Sequence, residues 1–222
     1  MDAVLFDLDD TLCRYRVSGR ELLDRAFEAV GVEPLFAIED YHAVYDDYAE
    51  SAETVEGLRE ACFADLATRA GAAPDVGRAV ARAYAAERDH RNVEPLDGAL
   101  KAVRTLADDH RLGLVTNGAP SMQGQKLEAI GLTDAFETVV HGGHDAPAKP
   151  APEPFHTALD ALDVAATRAV HVGNNLETDV AGANAAGIRS VWLRNGAADA
   201  PATAEPDVVV DSMAGLLDRP WD

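Results

Sequence analysis

The stretch Phe6-Asp7-Leu8-Asp9-Asp10-Thr11-Leu12, entered from the apolar run Ala3-Val4-Leu5-Phe6, decides how this chain is read. Four apolar residues closed by a turn signal predict a short strand buried on both faces, as in a parallel sheet. An unpaired charge is costly inside such a strand, so Asp7 and Asp9 belong at its carboxyl end. That end faces the crevice where open α/β sheets bind ligands. Two carboxylates two residues apart can converge there on one hard cation through oxygen. One can then attack while the other moves a proton. Taken alone, Asp-Asp-Thr is also ordinary turn chemistry, and the rest of the chain has to decide.

Outward from this point the same grammar repeats. Apolar runs at 3–6, 112–116, 136–140, 169–172, 189–193 and 208–210 read as strands. Helix-period segments at 97–108, 120–130, 152–162 and 177–186 fall between them. Alternation of this kind predicts the α/β class, a doubly wound Rossmann-like parallel sheet.

Residues 14–94 break the alternation, being far too many for one βα connection. They read as helices. Ser18-Gly19-Arg20-Glu21 is a capping box, and Leu22, Leu23, Ala26, Phe27 and Val30 follow on one helical face, with Pro34 as the stop. Further helices are expected at 39–50, 53–70 and 75–91. The expected organisation is a core of 1–13 and 95–222 and an inserted α-helical cap domain of 14–94, with hinges near 13–17 and 92–96.

Three more signals each follow a strand. Val115-Thr116-Asn117-Gly118 sets a hydroxyl and an amide at the end of the second core strand. Lys149-Pro150-Ala151-Pro152-Glu153-Pro154-Phe155 sets a lysine in a rigid loop before a helix. Val172-Gly173-Asn174-Asn175-Leu176-Glu177-Thr178-Asp179 runs from a strand through a polar turn toward a helix. A turn, a solvated charge and a helix-start acid would explain each singly. Lys149 is less easily dismissed, because Lys101, Lys126 and Lys149 are the only lysines in a chain that otherwise uses arginine.

With these residues in this order, the sequence resembles the haloacid dehalogenase-like (HAD-like) hydrolase superfamily, in the subfamily with a helical cap between the first two motifs. The resemblance extends through the linking segments Gln125-Lys126-Leu127, Gly131-Leu132 and Asn184-Ala185-Ala186-Gly187. It implies a phosphatase in which Asp7 is the nucleophile and Asp9 the acid and base. Thr116 and Lys149 would hold phosphoryl oxygens, helped by the backbone N–H groups of Leu8, Asp9 and Asn117. Mg²⁺ would sit among Asp7, the carbonyl oxygen of Asp9, Asn174 and Asp179. The physical logic agrees: phosphoryl transfer needs positioning and charge neutralisation, and a dianionic ester meets a carboxylate nucleophile only with a cation between them.

The chain departs from the family at one position. Asn174 stands where the family usually has an aspartate. Its carbonyl oxygen is an acceptable hard ligand but carries no charge, so weaker Mg²⁺ binding is expected. A phosphomutase of the same fold and a catalytically silent phosphate-binding protein stay open. Asp9 argues against a haloacid dehalogenase, and the absence of lysine from 14–94 argues against a Schiff-base cap chemistry.

Composition restricts the partners. The 39 acidic and 19 basic residues give a net charge of −20, so the basic footprint of a nucleic-acid binder is missing. No apolar stretch approaches the roughly 20 residues of a membrane helix. The start MDAVLFDLDD has no basic n-region, and Cys13 and Cys62 make no disulfide framework, so a cytoplasmic protein is expected. Acid-rich, lysine-poor composition resembles that of proteins from salt-loving archaea. The expected partner is a small phosphomonoester, and the expected protein is a monomer or a homodimer. Arg14 and Arg16 are candidates for a second anionic group of the substrate or plain solvated charges. His141 and His144 read as loop residues, and Tyr41, Tyr45 and Tyr48 as packing within the helical segment.

Overall fold

A computed structural model of the chain describes residues 1–49, 52, 54–195 and 204–221. It divides into two compact units, Met1–Tyr15 with His90–Asp222, and Arg16–Asp89.

The first unit is built on β1 (Ala3–Phe6), β4 (Arg111–Thr116), β5 (Thr138–His141), β6 (Ala169–Gly173), β7 (Arg189–Leu193) and β8 (Val208–Val210). Their order is β5-β4-β1-β6-β7-β8, and every neighbouring pair is parallel. β1 is the centre, and all four of its residues are fully buried. Pleating sends its side chains alternately to the two faces. Val4 and Phe6 join one core with Val103 and Leu106 of α5 (Ala99–Leu106) and Leu127 and Ile130 of α6 (Pro120–Ile130). Ala3 and Leu5 join another with Phe155, Ala158 and Leu162 of α7 (Glu153–Leu162). Burying each such Leu or Phe contributes about 1.5–3 kcal/mol.

The chain winds outward from β1 through β4 to β5, then returns to place β6 on the other flank of β1. This reversal opens a crevice at the strand ends. In register, Phe6 faces Leu114 on one side and Val172 on the other. The residues just beyond Phe6, Leu114 and Val172 therefore emerge side by side.

The two segments expected as hinges carry a paired ribbon, β2 (Cys13–Tyr15) antiparallel to β3 (Val93–Pro95); the division after Tyr15 falls within the expected 13–17, and that before His90 lies just ahead of 92–96. The expected breaks at 13/14 and 94/95 fall inside it, and the whole ribbon belongs to the first unit. Strands of three residues carry no periodic signal, and these pair across some eighty positions. The helix expected at 177–186 is also different. A π-helical turn, Leu176–Val180, precedes a short α8 (Ala181–Ala185).

The second unit contains α1 (Gly19–Val30), α2 (Ile38–Ala49), α3 (Val55–Arg69) and α4 (Pro74–Glu87). Ser18 caps α1, its Oγ accepting from Glu21 N–H at 3.1 Å. The stop is Gly31 in the left-handed conformation, φ 76°, ahead of Pro34. α4 ends at Glu87, short of the expected 91, and positions 50 and 53 of the expected helices lie outside the described residues. Tyr41 belongs to this unit's core, where its ring meets that of Phe63 edge to face at 5.1 Å, and the partly buried Tyr45 and Tyr48 pack against that core.

Candidate active site

Asp7 leaves the end of β1 with its N–H bonded to the Val172 carbonyl at 2.9 Å. Its carboxylate is buried and accepts from Lys149 Nζ at 2.8 Å. The same ammonium donates to Asp179 Oδ1 at 2.6 Å and to the Val115 carbonyl at 2.8 Å. All three protons of Lys149 are thus committed. Two buried carboxylates share one ammonium, which leaves the cluster short of positive charge. Burial pushes the Asp7 carboxyl up to about 7; Lys149 opposes the shift, while Asp179 and Asp9 add to it. Burial would raise Asp179 as well, but Lys149 and His171 outweigh it and hold Asp179 below the usual carboxylate range. For Lys149, burial works against the charge, and Asp7 with Asp179 more than restores it.

The turn after β1 is tight. The Leu8 carbonyl accepts from Leu12 N–H at 2.9 Å and Cys13 N–H at 3.1 Å, and Asp10 adopts a left-handed conformation, φ 57°. Asp is among the few residues that enter this region at modest cost. The turn carries Asp9 to a half-buried position. Lys126 Nζ meets its two oxygens at 2.6 and 2.8 Å, and Gln123 Nε2 donates to Oδ2 at 2.9 Å.

Thr116 ends β4 and is buried; its Oγ1 accepts from Gln123 Nε2 at 2.6 Å. Asn117 works through its side chain. Its Nδ2 donates to the Lys149 carbonyl at 2.9 Å, and its Oδ1 accepts from Lys149 N–H at 2.8 Å. This reciprocal pair splints the Lys149 loop to the end of β4.

The polar turn after β6 is shaped by Asn175, whose Oδ1 accepts from Glu177 N–H at 2.8 Å and Thr178 N–H at 3.0 Å. The wide π-helical turn then brings Asp179 back over Gly173. A Cβ on Gly173 would collide with the Asp179 carboxylate, so only glycine fits. Asp179 Oδ1 also faces His171 Nε2 at 3.2 Å, and Oδ2 accepts from Asn175 N–H at 3.1 Å. Burial lowers the pKa of His171 despite Asp179. A neutral ring facing a carboxylate presents its N–H there. Asn174 turns its Oδ1 to the Thr11 hydroxyl at 3.2 Å, and its carbonyl accepts from Trp192 Nε1 at 2.9 Å.

The structure therefore brings Asp7, Asp9, Thr116, Lys149, Asn174 and Asp179 to neighbouring strand ends and the turns beyond them. The oxygens of Asp7, Asp9 and Asn174 have the hard-donor chemistry that suits Mg²⁺, and the charge deficit at Asp7 fits a cation. Both oxygens of Asp179 already hold Lys149, His171 and Asn175. Elsewhere, Arg14 pairs with Glu94 at 2.9 Å, and His141 Nδ1 faces Asp145 at 2.9 Å within its loop.

Sequence reading missed Gln123, Lys126, His171 and the side-chain clamp of Asn117. Two signals were present. Lys126 is one of three lysines, and two of the three are buried against motif aspartates. His171 interrupts an otherwise apolar strand.

Comparison with known proteins identifies the family. A family model for haloacid dehalogenase-like hydrolases matches residues 1–187. A phosphoserine phosphatase of Thermus thermophilus is 32% identical, with 96% of each chain covered. A glyceraldehyde 3-phosphate phosphatase of Methanopyrus kandleri is 31% identical, covering 97% of this chain and 95% of its own. The solved structure of the HAD-hydrolase YfnB from Bacillus subtilis bound to magnesium superposes with a TM-score of 0.80 at 21% identity, covering 100% and 99% of the two chains. The chain belongs to the haloacid dehalogenase-like hydrolase family.

Proposed function

We propose that this hydrolase is a Mg²⁺-dependent phosphatase of small phosphomonoesters. The observation that carries the reading is the Lys149 ammonium held between Asp7 and Asp179, beside Asp9 and Thr116 at neighbouring strand ends. In the proposed reaction an Asp7 oxygen attacks phosphorus, and the bond from phosphorus to the ester oxygen breaks as Asp9 gives that oxygen its proton. Water then attacks the aspartyl-phosphate. Asp9 takes the water's proton, the bond from phosphorus to Asp7 breaks, and phosphate leaves. The Thr116 hydroxyl and the N–H groups of Leu8, Asp9 and Asn117 receive the phosphoryl oxygens, and the Lys149 ammonium beside them supplies positive charge. Asp7, the Asp9 carbonyl oxygen and Asn174 Oδ1 would hold Mg²⁺, which when bound supplies the charge that lets a dianionic ester approach Asp7. We assign Asp179 chiefly to holding Lys149, with any contact to the cation through water.

The relatives cited act, by name, on different phosphomonoesters, which supports the reaction class and leaves the substrate's alcohol part undefined. The helical unit Arg16–Asp89 serves in this reading as the cap that selects substrate. In this reading the enzyme works as a monomer or homodimer in a cytoplasm of high salt, without nucleic-acid or membrane partners. Asn174 alone favours a second reading, a silent phosphate-binding relative.

Hydrolysis of p-nitrophenyl phosphate in ~2–3 M KCl, concentrated enough to screen the net charge, decides between them. Release that requires Mg²⁺ and stops with EDTA supports the phosphatase. A folded protein that binds phosphate without turnover supports the silent relative.

A further inference from the structure

The geometry points to Gln123 and Lys126 of α6 as positioning residues that orient Asp9 and Thr116, an inference that rests on the phosphatase reading. The two side chains lie three positions apart on one helix face, and both are buried. Lys126 holds both Asp9 oxygens, and Gln123 Nε2 reaches Asp9 Oδ2 and Thr116 Oγ1 together.

An amide nitrogen has two protons, and both are used in this way. Thr116 Oγ1 also accepts from Gly118 N–H at 3.3 Å. With two donors on its lone pairs, the Thr116 hydroxyl keeps one role, which is to donate its own proton. A phosphoryl oxygen requires that role. The reverse amide orientation would set Gln123 Oε1 against the Asp9 carboxylate. In the observed orientation Oε1 is buried with no hydrogen-bond partner among the described residues. Leaving an acceptor unsatisfied is unfavourable, so the side chain is arranged around its two N–H contacts and not around its own satisfaction.

Lys126 is pinned from the other side. Its ammonium lies 4.8 Å from the centroid of the Tyr15 ring, and the Tyr15 hydroxyl is 2.6 Å from His90 Nδ1. Lys126 is 3% exposed while Asp9 is 40% exposed, so a buried anchor fixes a carboxylate that faces the crevice. Once protonated, a carboxyl group held in this way presents its proton along one direction, toward the leaving ester oxygen.

The test compares kcat/KM for p-nitrophenyl phosphate and p-methoxyphenyl phosphate. The nitrophenolate leaves with little need of a proton, whereas the methoxyphenolate needs one. In Lys126→Met the loss on the methoxy ester should exceed the loss on the nitro ester by roughly tenfold or more, within the range of general acid catalysis. Lys126→Arg should recover part of that ratio. Gln123→Leu should lower kcat/KM on both esters, through Thr116, and widen the ratio as well. Equal losses on the two esters in folded variants overturn the inference, because a merely structural role moves both alike. If Lys126→Met does not fold, the ratio in Gln123→Leu decides. A wild-type protein that hydrolyses neither ester overturns the phosphatase reading, and this inference with it.

Discussion

Asp7 sits between two demands. The nucleophile's role proposed for it needs the anion, yet burial raises its pKa from 3.8 to about 7 in the folded chain. Between those values the folded state binds more protons than the unfolded state, so this group lowers stability as pH rises through that window. Asp179 runs the other way. Its pKa is depressed, so it adds stability above about pH 4 and loses it as acid is added. Asp7→Asn should therefore abolish hydrolysis of p-nitrophenyl phosphate. In EDTA at pH 7 it should melt above the wild type, with the difference closing toward pH 4. A variant that melts below the wild type at pH 7, or that turns over, contradicts this account. In the proposed cation site Asn174 would contribute only an amide oxygen. Asn174→Asp should lower the Kd for Mg²⁺ several-fold, measured by isothermal titration at fixed salt. An unchanged Kd would place residue 174 outside the cation's shell.

At the scale of elements, close approach of backbones decides where ordinary propensities fail. Gly77 lies in α4 directly against the backbone of α3, and a Cβ there would fall on the Phe63 carbonyl. Glycine to alanine in a helix usually gains about 1 kcal/mol. Here the helices must separate, and overpacking of this kind costs about 1–3 kcal/mol. Gly77→Ala should thus lower the urea midpoint. Gly124→Ala on α6, where a Cβ would meet nothing within 4 Å, should raise it. If both substitutions stabilise, the α3–α4 approach is looser than described. The π-helical turn at Leu176–Val180 shows the same principle in the first unit. It replaces a regular first turn because Asp179 must reach back over Gly173.

The whole molecule carries a net charge of −20. Many arginines are paired on the surface, as in Arg25–Glu21, Arg78–Asp75 and Arg194–Asp211. Exposed pairs contribute little, and salt weakens them further. With 39 acids against 19 bases, repulsion among the unpaired acids outweighs them. Screening shortens from about 10 Å at 0.1 M to about 3 Å at 1 M. The Tm should therefore climb as KCl is raised across that range, and choline chloride should act like KCl. A Tm that is flat or falls with salt would remove the high-salt reading of the composition.

The strands, their alternation with helices and the residues at their ends were legible in the sequence, because each depends on a few consecutive positions. An apolar run closed by a turn signal places Asp7, Thr116 and Asn174 at strand ends without reference to distant parts of the chain. The ribbon of β2 and β3 was not legible, since three-residue strands leave no pattern. Nor were the partners of the site. Lys126 and Gln123 meet Asp9 across 117 and 114 positions, and His171 gains its meaning only when a wide turn returns Asp179 to it. The sequence by itself determined which reactive side chains stand at which strand ends. The tertiary structure alone decided which group holds which, because those contacts are made by the winding of the sheet and not by neighbours along the chain.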